Sequence, residues 1–186
     1  MHDDSDVKIF KAPTADNDSS DLFAVAEEIK HNILNGNSAK AKALGKELAS
    51  LSPESEDLIN ELTEALDAEW IKPEIKIQCR LLMVFSAEYT LLSELKPILA
   101  TAANESLYNG LKKDAPEFYE SISNGAAMSF YYMAVKQRDV IKAVGDNFAM
   151  LCNAKGNETA AKLGSDVFFL TCKHVVGVVE KYGFEK

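Results

Sequence analysis

The chain has 186 residues, 47% of them hydrophobic and 26% charged, with 9 Gly and 5 Pro, a composition that suits one soluble helical domain. Its net charge of −9 is unevenly spread, with 16 Asp/Glu against 6 Lys in residues 1–70 and 13 Asp/Glu against 14 Lys/Arg in residues 71–186. Only two of the basic residues are arginines, Arg80 and Arg138, so a direct nucleic-acid reader, which needs clustered cations, is excluded.

Residues 1–19 are polar, acidic and broken by Pro13, and they read as a disordered or loosely attached tail. They lack the apolar stretch of a secretion signal, and no later run approaches the ~20 apolar residues of a membrane span. The cysteines, Cys79, Cys152 and Cys172, are odd in number, far apart and set in apolar runs, which points to a reducing, cytoplasmic setting. Residues 20–186 read as a single helical domain, with acidic peripheral helices over 20–70 and apolar core helices over 71–186.

Leu22, Val25, Ala26, Ile29 and Ile33 recur at helical spacing behind the capping residues Ser19, Ser20 and Asp21, and Asn35-Gly36 ends that helix. A helix over about 38–50 turns Ala41, Leu44, Leu48 and Leu51 inward. Ser52-Pro53 opens another, with Leu58, Ile59, Leu62, Leu66 and Trp70 on its buried side. Its other face carries Glu54, Asp57, Glu61, Glu64 and Asp67 with no Lys or Arg between 54 and 71, which suits a docking surface for a basic partner.

Pro73 starts a longer helix to about Leu95, where Pro97 ends or kinks it. A weaker segment covers 98–112. Asp114-Ala115-Pro116-Glu117 resembles a capping box and predicts one central helix from 114 to 137. Helices over 139–153 and 158–182 follow, separated by Gly156 and closed by Gly183. The last segment is rich in β-branched residues, but Phe168, Cys172, Val175, Val179 and Tyr182 keep one helical face, and a strand would scatter them. The fold class is therefore all-α, a single-domain antiparallel bundle of about seven or eight helices.

Glu88 is the residue that most needs a partner. At about 100° per residue, Ile77, Leu81, Val84, Phe85, Leu91, Leu92 and Leu95 lie within about 60° of it, and a carboxylate in an apolar stripe is costly unless compensated. His174 sits among Leu163, Val167, Leu170 and Val178 in the same manner and is one conceivable partner. Tyr131 and Tyr132, in the run Phe130-Tyr-Tyr-Met133, offer hydroxyls to the same region. These four, Glu88, His174, Tyr131 and Tyr132, form the candidate ligand-binding set.

No metal and no cofactor is expected. Glu28-x-x-His31 has no second copy for a di-metal site, and Asp16-x-Asp18-x-Ser20 has Asp21 where a calcium loop needs glycine. No nucleophile elbow, phosphate loop or zinc-protease motif occurs, so enzyme chemistry has no positive support. The leading expectation is a non-catalytic interaction module whose acidic N-terminal face docks a basic partner. Small-ligand binding around Glu88 and His174 is the alternative, or an unfamiliar enzyme there, with nucleic-acid mimicry by an acidic inhibitor third and homo-oligomerisation open.

Overall fold

Helix boundaries in the computed structural model, which describes residues 16–53 and 73–185, follow local chemistry closely. Helix α1 spans Asp16–Leu34 and begins ahead of Ser19. Gly36, at φ +78°, makes the left-handed turn into α2, Asn37–Leu48. Helix α3 is Pro73–Glu94, and Pro97 opens α4, Pro97–Asp114, so that proline separates two helices and kinks neither.

The single helix expected over 114–137 is two, α5 at Pro116–Asn124 and α6 at Ala127–Ala134. Gly125 is the break. It sits at φ −95°, ψ 149°, outside the helical region, and glycine is the residue that loses most by staying helical. The capping box does not form either: Asp114 ends α4, and the N-cap of α5 is Ala115 without a side-chain bond. Helix α7, Val140–Leu151, is capped by Asp139, which accepts from the Lys142 N–H at 3.2 Å. Helix α8, Glu158–Tyr182, is capped by Asn157 through the Ala160 N–H at 3.0 Å.

The described residues form an all-α, single-domain bundle of eight helices without a strand. Its centre is α3. Every residue from Leu81 to Ala87 is buried, so this helix is surrounded rather than one-faced, and it packs against α8, α4, α6 and α7. The expectation that the Phe130–Met133 run would be central is corrected here, because of those four residues only Tyr131 is fully buried while Tyr132 and Met133 reach solvent. The segment that looked weak, α4, instead delivers Leu99, Ala100, Ala103, Leu107 and Leu111 to the core.

Two close crossings set the layers. On α2, a Cβ at Gly45 would lie 2.0 Å from the Ala103 carbonyl oxygen, so α2 and α4 meet backbone to backbone. On α7, a Cβ at Gly145 would lie 2.3 Å from the Ala161 carbonyl oxygen of α8. Around these contacts Ala41, Leu44, Leu48 and Leu51 are buried as their spacing predicts. The two buried hydroxyls of α3 are satisfied along the helix itself. Ser86 Oγ donates to the Leu82 carbonyl at 2.7 Å and Thr90 Oγ1 to the Ser86 carbonyl at 2.8 Å.

Candidate functional site

Glu88 finds its compensation on α4. The Tyr108 hydroxyl donates to Glu88 Oε2 at 2.6 Å, short enough for a charge-assisted bond. Burial, and then donation to Glu88, hold the Tyr108 phenol far above its usual pKa. Tyr132 on α6 is also raised, by desolvation first and then by the nearby Glu88 carboxylate. Tyr108 thus holds the carboxylate, which stands half-buried at the edge of the core with Tyr132 near by.

The remaining expected residues lie apart from that knot. Tyr131 packs on Phe85 with ring centroids 5.3 Å apart, is fully buried, and its hydroxyl has no hydrogen-bond partner. Its pKa is raised by desolvation, with the Cys152 and Cys79 thiols adding to it. An orphaned buried hydroxyl costs about 1–3 kcal/mol. His174 is half-buried on α8, and the hydrogen bond that Glu88 accepts comes from Tyr108. The structure therefore sets Tyr108 on Glu88, places Tyr132 near the same carboxylate, and packs Tyr131 on Phe85.

Beside Tyr108 lies an open groove of about 450 Å³ lined by Leu92, Thr101, Asn104, Glu105, Tyr108, Asn109 and Tyr119. Tyr108 and Tyr119 meet edge to face across 6.5 Å at its rim. Tyr108 could have been found from sequence by one signal, since a buried carboxylate and an amphipathic phenol each require the other's polar atom.

A second feature lies on α1. Leu22, Val25, Ile29 and Ile33 fall within about 80° of one another around α1, and they are 67%, 46%, 42% and 62% exposed. Phe23 and Leu34 flank the stripe and are exposed as well. From Leu22 to Leu34 the only buried residue is Asn32. The periodicity that predicted this helix is real, but its apolar face looks outward. Scattered exposed apolar residues are normal, whereas a continuous stripe on one helix marks an interaction surface.

The acidic run Glu54, Asp57, Glu61, Glu64 and Asp67 lies outside the described residues. Asp16, Asp18 and Ser20 fall within α1, so they belong to helix rather than to a loop. Among the described residues, no group of three or more His, Cys, Asp or Glu is placed to hold a metal ion, and no helix is long and apolar enough to cross a membrane. No family model matches the chain, and neither a curated protein nor a solved structure matches it.

Proposed function

We propose that this protein is a helical interaction module that docks a basic amphipathic segment along α1. The observation that carries the reading is the solvent-facing stripe of Leu22, Val25, Ile29 and Ile33. Full burial of one such side chain is worth about 1.5–3 kcal/mol. With each of the four about half exposed, covering them is worth on the order of 3–6 kcal/mol before the costs of association. Charge selects the partner. Residues 16–34 hold Asp16, Asp18, Asp21, Glu27 and Glu28 against Lys30, so a segment edged with Lys or Arg complements the stripe and an acidic one is repelled.

The test uses a synthetic amphipathic helix of Leu and Lys, its Leu-and-Glu counterpart, and the full chain with Leu22→Asp plus Ile33→Asp. The basic peptide should bind saturably and more weakly as salt rises, and the acidic peptide should not bind. The double variant should lose binding even though it gains negative charge. Binding that survives in the double variant refutes the α1 surface. A chain that sediments as a dimer and becomes monomeric in the double variant would instead make a second copy the occupant.

Ligand binding beside Glu88 is the second reading, favoured by the groove at Tyr108, whose hydroxyl is already committed to Glu88.

A further inference from the structure

Residues 183–185, which follow α8, are held by α2 through their main chain. Asn37 Nδ2 donates to the Glu185 carbonyl at 2.8 Å, the Glu185 N–H donates to Asn37 Oδ1 at 3.0 Å, and Lys40 Nζ donates to the Gly183 carbonyl at 2.7 Å. A carboxamide presents a donor and an acceptor side by side, as a neighbouring strand does, so it reads an extended backbone without regard to side chains.

Asn37 does not stand alone. Its Nδ2 also reaches Asn32 Oδ1 at 3.4 Å, and its N–H donates to Asn35 Oδ1 at 3.0 Å. Asn37 is 1% exposed and Asn32 3%. Both Asn32 Nδ2 and Asn35 Nδ2 are buried donors without an acceptor. Three asparagines therefore converge at the α1–α2 corner, and residues 183–185 use the amide nitrogen of one. Two further donors await carbonyl oxygens that this short segment does not supply.

We propose that the asparagine corner is a peptide site that reads main chain, filled in cis by residues 183–185 and open in trans to an extended segment of another polypeptide. Such a segment replaces the contacts at Asn37 and Lys40 and offers further carbonyls to Asn32 and Asn35. Side-chain selection is weak. Phe184 stacks on Tyr182 at 6.5 Å, which favours an aromatic residue at that one position, and Glu185 points to solvent. The site is separate from the apolar stripe of α1 and does not depend on it.

The experiment uses the full chain with Glu185→Pro, which removes the N–H that Asn37 Oδ1 accepts and loosens the resident segment. The probe is the peptide Lys-Tyr-Gly-Phe-Glu-Lys, the sequence of residues 181–186, titrated to millimolar concentration while the side-chain amide resonances of Asn32, Asn35 and Asn37 are followed. Saturable shifts are expected in the Glu185→Pro chain, with affinity at least about ten-fold above that of the unsubstituted chain. They should vanish when the peptide's glutamate nitrogen is methylated, since that nitrogen supplies the donor that Asn37 Oδ1 accepts. Asparagine resonances that stay still in the Glu185→Pro chain, or a methylated peptide that binds as well as its parent, overturn the proposal.

Discussion

Replacing glycine by alanine in two helices of this protein should move stability in opposite directions. In a helix interior the exchange is worth about 1 kcal/mol in favour of alanine. At Gly177 on α8 a new Cβ meets nothing within 4 Å, so that gain stands and Gly177→Ala should raise stability by about 0.5–1 kcal/mol. At Gly45 the new Cβ lies 2.0 Å from the Ala103 carbonyl oxygen and 2.9 Å from Ser106 Cβ. Real Cβ contacts essentially never fall below 3.0 Å, so α2 and α4 must part by about 1 Å. The obstacle is backbone, which cannot swing aside as a side chain does. Parting the helices also strains the Ser106 hydroxyl bond to the Lys42 carbonyl, 2.7 Å long. Overpacking against backbone falls at the upper end of the usual range, about 2–3 kcal/mol, which outweighs the propensity gain. Gly45→Ala should therefore lower stability by about 1–2 kcal/mol net, a fall of roughly 2–8 °C in the melting midpoint for a chain of this size. Circular dichroism melts of both variants decide it. A Gly45→Ala chain as stable as the parent would mean that α2 and α4 do not cross where the structure has them.

Alkali gives an independent check. The Tyr108, Tyr131 and Tyr132 phenols are held above their usual value of 10, chiefly by burial, so the unfolded chain ionises first. Their contribution is complete below pH 10 and is lost as pH climbs toward the folded pKa values, so urea midpoints should fall above pH 10 while phenolate absorbance lags behind that of free tyrosine. Tyr182, raised by desolvation and then by its donation to Glu47 Oε2 at 2.8 Å, is pushed up to about 12, so it should stay protonated at pH 10 in the folded chain and titrate only near pH 12. Burial raises the Cys79 thiol to about 12 and the Cys152 thiol to about 11, so a thiol reagent at pH 8 should modify the native chain far more slowly than the urea-unfolded chain. Rapid native labelling of Cys79 would contradict its place in the core.

Legibility in the sequence followed the physics of each signal. Spacing along one helix is local, so Leu44 and Leu48 on α2 and the face of Val175 on α8 could be assigned before any coordinates. Which helix is central is a packing fact. The run from Leu81 to Ala87 owes its full burial to neighbours contributed by four other helices, and the bulk of Phe130–Met133 misled because half of it reaches solvent. The break at Gly125 follows the weak helix formers Ser123 and Asn124, a signal outweighed in the sequence by Ala126 and Ala127 just beyond it. Glu88 was identifiable as a group in need of compensation, but its donor, Tyr108, is 20 positions away on another helix. The asparagine corner was the least visible, since Asn35-Gly36 reads as a helix end and only the return of residues 183–185 gives Asn37 a role.

The outward face of α1 is tested most directly by the melting midpoint of the chain carrying Leu22→Asp and Ile33→Asp. Surface substitutions stay within about 0.5 kcal/mol each, so the midpoint should lie within a few degrees of the parent's. A charge forced into a packed interior costs several kcal/mol per site. A collapse of ten degrees or more would place those side chains in the core and remove the docking surface from the account.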